Sequence, residues 1–233
     1  MLHLQSSFFT SQVTKAFAPA LSLAALVPQF PEFLALPSFL GVPPSPTSTV
    51  YYRSTCIPNT TYQLFDRICN AIITSNGFPS EVVNLQLAPL AVSSAYFPLA
   101  GNEKAIGHDI LHNPARRADV LKTITSDGMV MAGPLLLDQG GFNMVGRLAV
   151  FIDPDSVTAR AAASSPYQAP RCGCGTVEGS GCKSIGVNTT TLDGVMREVV
   201  RGKVFWGVVA VLFNFQGLLR SSGIYNEVSQ PPV

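Results

Sequence analysis

The sequence predicts an α+β domain: one antiparallel sheet of about five strands with flanking helices, preceded by an N-terminal helical, proline-rich region. Three observations predict it. Apolar residues recur at helical spacing over 61–75, then read as extended runs over 82–97, then return to helical spacing, so both regular structures alternate along one chain. The segment Asp138-Gln-Gly-Gly-Phe-Asn143 breaks two apolar runs, which signals an antiparallel hairpin. Finally, 47% of the 233 residues are hydrophobic, enough to fill one core and to leave an irregular flank.

Taken in order, residues 1–59 form the flank and linker. Val13, Phe17, Leu21 and Leu26 allow a short amphipathic helix, but Pro19, Pro28, Pro31 and Pro37 interrupt the apolar stretch, and the run Gly41-Val-Pro-Pro-Ser-Pro-Thr-Ser-Thr has linker composition. The folded domain spans 60–223. Its first helix covers 61–75, with Leu64, Phe65, Ile68, Ile72 and Ile73 on one face, Asn59 or Thr60 as cap and Gly77 as the stop. Strands over Val82–Leu87 and Ala91–Phe97 follow, broken at Pro89. After a turn at Gly101, Asn113 caps a helix with Pro114 in its first turn, where the missing donor costs nothing, and Val120, Leu121 and Ile124 form its buried stripe before Asp127-Gly128. Strands Met129–Leu137 and Met144–Ile152 make the hairpin. Residues 153–188, rich in Ala, Ser, Gly and Pro, read as an inserted loop. Leu192, Val195, Met196, Val199 and Val200 give a further helix, and Val204–Phe215 the last strand, ahead of a tail over 224–233.

Composition excludes several partners. Charged residues make up 12%, against roughly 25% in typical soluble proteins, and the 15 basic and 14 acidic side chains nearly cancel, so nothing attracts nucleic acid or an anionic membrane surface. The mean hydropathy of +0.29 raises the question of a membrane span, which takes about 20 consecutive apolar residues. The best candidate, Val204–Leu219, carries Asn214 and Gln216 and is rich in Val and Phe, which favours a buried strand. The N-terminus lacks the basic and continuous apolar regions of a secretory signal, so an extracellular domain would take its targeting element from outside this chain. Cys56, Cys69, Cys172, Cys174 and Cys182 leave one unpaired under full oxidation and do not settle the redox compartment. Sequons at Asn59 and Asn188 fit a secretory route.

Few constellations carry chemistry. His108, Asp109 and His112 form the one His/Asp cluster, with the histidines four apart as on one helical face. A metal-dependent hydrolase built on them is a rival reading, though Asp109 is one methylene shorter than the glutamate of zinc proteases; two histidines on a solvated turn is the plainer one. Cys172-Gly-Cys174 with Cys182 offers three thiols where structural zinc takes four ligands, and a loop disulfide or idle thiols account for them as well. Gly179-Ser-Gly-Cys-Lys-Ser184 has a cysteine where a phosphate loop needs glycine. There is no nucleophile elbow and no paired carboxylates, so catalysis has no residues to stand on. Asp109, flanked by Ile106 and Ile110, ordinarily reads as a helix-start or surface residue. Its alternative role is to accept ligand N–H groups in an apolar cavity, where a charged acceptor contributes about 1.5 to 3 kcal/mol per bond.

Over roughly residues 60–220 the chain resembles the CHASE domain, the extracellular sensory module of receptor histidine kinases and nucleotide cyclases. The resemblance is carried in order by Leu85-Gln-Leu-Ala-Pro89, Tyr96-Phe-Pro-Leu-Ala-Gly-Asn-Glu103, Ile106-Gly-His-Asp-Ile-Leu111 with Pro114-Ala-Arg-Arg117, Gly133-Pro134 with Gln139-Gly-Gly141, Gly146-Arg-Leu-Ala-Val-Phe151 and Phe205-Trp-Gly207. It implies a PAS-like sheet, a long N-terminal helix from which the proline-broken flank departs, no enzymatic activity and no cofactor. It also implies a membrane receptor with this part extracellular or luminal, a homodimer when intact, and an output kinase or cyclase outside this chain. The resemblance to plant cytokinin receptors, which hold adenine-type ligands through an aspartate, makes Asp109 the equivalent position. Met131, Gly133, Gly141 and Phe205 become the further expected ligand contacts. Gly140-Gly141 stands where those receptors have a threonine, so an adenine-like ligand is one candidate among small molecules. A ligand-free structural domain is the remaining alternative, separated by whether a cavity is lined by Asp109, Met131 and Phe205.

Overall fold

A computed structural model describes residues 2–29, 59–76, 81–89, 91, 93–102, 105, 108, 110–111, 113–136, 142–153, 155 and 203–221. The apolar N-terminal stretch forms α1, Leu2–Leu26, followed by a 3-10 turn at Val27–Gln29. It is much longer than the short helix expected, and Pro19 lies inside it. A proline in a helix costs about 3 kcal/mol. Here Ala16, Ala20, Leu23, Ala24 and Val27 are all buried, with Phe9, Val13 and Phe17 packed against the same core. Each fully buried large apolar side chain contributes roughly 1.5–3 kcal/mol, so this stripe outweighs the proline.

Helix α2, Asn59–Asn76, buries Phe65, Cys69 and Ile72 at spacings of four and three, as its periodicity required. It begins at Asn59, so the two residues expected to cap it lie within its first turn. Strand β1, Val82–Pro89, runs through Pro89, and β2 is only Ala95–Phe97 rather than starting at Ala91. The intervening residues turn instead: Ala91 has a left-handed backbone (φ 62°). The amides of Ala91, Ser93 and Ser94 donate to the carbonyls of Ala88, His108 and Leu87. Helix α3, Pro114–Thr125, follows the expected pattern, with Asn113 accepting the Ala115 amide at 2.9 Å and Val120 and Ile124 buried.

Strands β3, Val130–Leu136, and β4, Phe142–Ile152, pair as the expected antiparallel hairpin. The last strand, β5, is Val204–Phe213. It stops two residues short of the expected end because Asn214 caps a short helix, α4, Phe215–Ser221: its Oδ1 accepts the Gly217 amide at 3.0 Å, and Leu218 is buried. The strand order is β2-β1-β5-β4-β3, antiparallel throughout, with helices flanking the sheet. The chain is therefore α+β as expected. The helix expected over 192–200, nearly all of the 153–188 insertion, and Cys56, Cys172, Cys174 and Cys182 lie outside the described residues. Among the described residues no helix is long and apolar enough to cross a membrane.

One face of the sheet carries Leu85, Leu87, Ala95, Met144, Val150, Trp206, Val209, Val211 and Phe213, packed against α1 and α2. Contact with α1 is close at Gly146, where a Cβ would stand 2.7 Å from Phe17 Cε1 and 3.2 Å from Met129 Sδ. Phe17 in turn meets Phe213 edge to face at 5.8 Å. Gly146→Ala is expected to lower stability by about 1–3 kcal/mol through overpacking, read as a lower urea midpoint; adding Phe17→Leu should recover part of that loss, and additive effects of the two would contradict this seating. Cys69 sits on the same side, and burial first, then the charge of Asp66, push its thiol well above the ordinary range. Cys69 should resist alkylation by iodoacetamide at pH 8 in the folded chain and react after denaturation.

Candidate functional site

The opposite face of the sheet is divided. Its apolar part consists of Ala88, Ala91, Phe205 and Val208, covered by Leu111, Val120 and Ile124, with Ile110, Ala149 and Phe151 against them. Phe205 meets Phe151 edge to face at 5.8 Å. Its polar part is set by strand alternation. Cross-strand partners place Tyr96, Gln86, Ala210, Arg147 and Val130 in one row across all five strands. Asn84 begins the neighbouring row, opposite Leu212.

These polar groups are tied to each other and to the loop after β2. Gln86 Nε2 donates to Asn84 Oδ1 at 2.8 Å. Asn84 Nδ2 donates to Asn102 Oδ1 at 2.6 Å, and Asn102 Nδ2 donates to the Pro98 carbonyl at 2.9 Å. Asn84 and Asn102 are both buried, so the relay supplies partners that water cannot. Tyr96 is buried and its hydroxyl makes a long contact of 3.4 Å to the Ala105 carbonyl.

Arg147 differs from its neighbours. It is only 5% exposed, and its Nη1 has no hydrogen-bond partner among the described residues. Burial lowers its pKa; the negative charge of Asp119 works against that, Arg116 reinforces it, and Tyr96 also acts to raise it. The guanidinium stays charged nonetheless, because arginine does not give up its proton in proteins. A buried charge without a hydrogen-bonded partner costs several kcal/mol, on the order of the penalty for stripping water from an ion.

The expected ligand contacts fall in different places. Phe205, 2% exposed, is on the α3 side, and Ile110 and Leu111, which follow Asp109, belong to the same apolar cluster. Met131 is 45% exposed on the edge strand β3 and pairs with Gly146, so alternation puts it on the α1 side. The sheet thus separates Met131 from Phe205. Gly133 is exposed, with φ 137°, and a Cβ there would stand 2.7 Å from Met144 Sδ and 3.0 Å from the Asn143 carbonyl, so the β3–β4 approach itself calls for glycine. Asp109, His112 and Gly141 lie outside the described residues. His108 is described: Asn113, whose Oδ1 caps α3, presents its Nδ2 to His108 Nε2 at 2.9 Å. That arrangement makes Nε2 an acceptor. No cluster of three metal-ligating residues occurs among the described residues.

Reading the sequence missed Arg147, Gln86 and Asn84 as members of this site. The signal was present: a lone charge inside the apolar run Met144–Ile152, and polar residues alternating with Leu85 and Leu87. Asn84→Ala removes the centre of the relay. It should cost about 1–3 kcal/mol in urea unfolding and speed hydrogen exchange at the Asn102 and Ala105 amides, which close the turns after β2; unchanged exchange there would mean the loop holds without it.

A family model described as the CHASE domain matches residues 88–229, more than half of the chain. No curated protein and no solved structure matches it.

Proposed function

We propose that this chain, which belongs to the CHASE domain family, is a small-molecule-sensing module, extracellular or luminal in a membrane receptor, whose kinase or cyclase output resides in another part of the protein. The family is one of receptor sensory domains, and that membership is the observation that carries the reading. The described residues add support of a different kind: a largely apolar face that also carries a polar relay and a buried arginine whose Nη1 has no hydrogen-bond partner among the described residues has the composition of a ligand site, in which an apolar lining is punctuated by a few placed polar groups.

Asp109 is the proposed anchor for ligand N–H groups, with Phe205 in the adjoining wall. An adenine-type base is one candidate guest, since it offers a donor edge and a flat apolar body. Sensing further requires that the guest favour one arrangement of the flanking segments over another, because equal affinity for both shifts nothing.

The test is a thermal-shift screen of the purified chain against adenine derivatives and other metabolites, followed by calorimetry on each hit with wild type and Asp109→Ala. Loss of one charged hydrogen bond should weaken binding about 10- to 100-fold, from the roughly 1.5–3 kcal/mol of each such bond. A hit that binds Asp109→Ala as tightly as wild type removes the aspartate from the site.

A further inference from the structure

We propose that Arg147 receives the carboxylate of a small-molecule ligand on the α3 side of the sheet, between the polar row of Gln86 and Tyr96 and the apolar wall of Val208 and Phe205. The inference rests on the sensory reading above and names the ligand class. Three observations lead to it.

The first is the unpartnered donor. Arg147 Nη1 is buried and has no hydrogen-bond partner among the described residues, although a guanidinium offers a planar fork of donors that matches a carboxylate in two parallel bonds. A neutral guest could accept one of those hydrogen bonds but would leave the charge uncompensated.

Charge is the second. The groups that act electrostatically on Arg147 from α3 are Arg116 and Asp119, and from β2 Tyr96. Among the described residues, two cations and one anion leave a single positive charge beside the sheet, which suits one carboxylate better than a doubly charged phosphate.

Shape is the third. Between Gln86 and Arg147 the row holds Ala210, the smallest side chain in the row, and the next row along the strands is Ala88, Val208 and Ala149. Small residues flank the guanidinium on the sheet, so the sheet itself offers it no polar partner there, and the Phe205–Phe151 pair lies at the apolar border. A guest with an anionic head and a compact apolar or aromatic body fits both halves of the face.

The experiment uses the full chain and four probes at matched ionic strength: benzoate, its neutral isostere benzamide, acetate and inorganic phosphate. Melting temperature is recorded for wild type and Arg147→Met, and chemical shifts of the arginine Nε–H groups are followed for wild type. Benzoate should raise the wild-type melting temperature by about 2–4 °C, the shift of a modest linkage for a chain of this size, and move one arginine resonance. Acetate should act in the same direction at higher concentration, and benzamide should do neither. Arg147→Met should lose the benzoate response while melting at or above the wild-type temperature without ligand, because the substitution removes an unpartnered charge.

A ligand-free Arg147→Met that melts well below wild type would show the arginine to be structurally paired and would overturn the inference. So would equal responses to benzoate and benzamide, a response to phosphate alone, no response to either carboxylate, or a benzoate response that survives in Arg147→Met. If an adenine derivative binds through Asp109 while the carboxylates do nothing, this inference falls and the sensory reading stands. Carboxylate binding that needs Arg147 and ignores Asp109→Ala removes only the role of the aspartate.

Discussion

The pleat of β4 places two consecutive residues with opposite demands on opposite faces of the sheet, and the rest of the domain is arranged around that. Gly146 has no side chain, which lets Phe17 of α1 approach the strand directly. Arg147 has a long charged one, which cannot be covered by apolar groups without loss of its hydration. One face therefore becomes a dry core shared by α1, α2 and the central strands, with Phe65, Trp206 and Phe213 buried in it. The other can be packed only in part. Its apolar half takes Val120 and Ile124 from α3, and its polar half is left to side chains that satisfy one another, Gln86 to Asn84 to Asn102. Arg147 stands between that apolar half and a second apolar cluster of Val145, Ala210 and Leu212, where neither solution is complete.

Three irregularities decide which residues reach which face: a shift in β1 between Val82 and Asn84, which separates Asn84 from Val82, and one each in β5 and β3. In β5, Phe151 pairs with Phe205 and Val150 with Gly207, so Trp206 is the extra residue of a bulge. By simple alternation Phe205 would share a face with Val209, Val211 and Phe213, against α1. The bulge moves it to the α3 side, beside Val208, and leaves Trp206 in the main core. In β3 the register shifts between Ala132 and Leu135 across Gly133-Pro134, which brings Leu135 to the side of Val145, Ala210 and Leu212. Met131 precedes that shift and stays on the α1 side. One extra residue in each strand is thus enough to divide a set of positions that looks continuous in sequence.

This explains what could be read from the sequence and what could not. Helices α2 and α3 and the β3–β4 hairpin were legible because periodicity, an Asn-Pro start and a glycine-bearing break are local signals with local causes. The length of α1 was not, since the penalty of Pro19 is visible in sequence while the burial that outweighs it is made with strands far along the chain. Helix α4 was not read, and its first residue was taken into the last strand, because Val204–Phe215 is uniformly apolar except for Asn214, whose capping bond to Gly217 ends the run. At the site, the family resemblance put Met131 and Phe205 in one cavity, and a bulge leaves no mark on the apolar pattern that could have separated them. Arg147 did leave a mark, as a charge amid apolar neighbours, but its meaning depended on whether an acceptor faced it. That is a property of the folded packing alone.

The same arrangement gives a physical route between the two faces. Arg147 and Gly146 share a peptide bond, so a change in how the guanidinium is satisfied acts on the strand segment that seats Phe17. The seat has no slack: the position a Cβ would take is already within 2.7 Å of the ring, and close-packed interiors pass on displacement rather than absorb it. Beyond that contact, Phe9 of α1 meets Phe215 of α4 edge to face at 6.2 Å. Strand β4 therefore bears on the helix that begins the described chain, and that helix bears on the one that ends it, all from the side of the sheet opposite Arg147. For a guest to use this route it has to bind one setting of β4 more tightly than another. A charge that is unpartnered in one setting and hydrogen-bonded in the other supplies such a difference, whereas an apolar contact made equally in both does not.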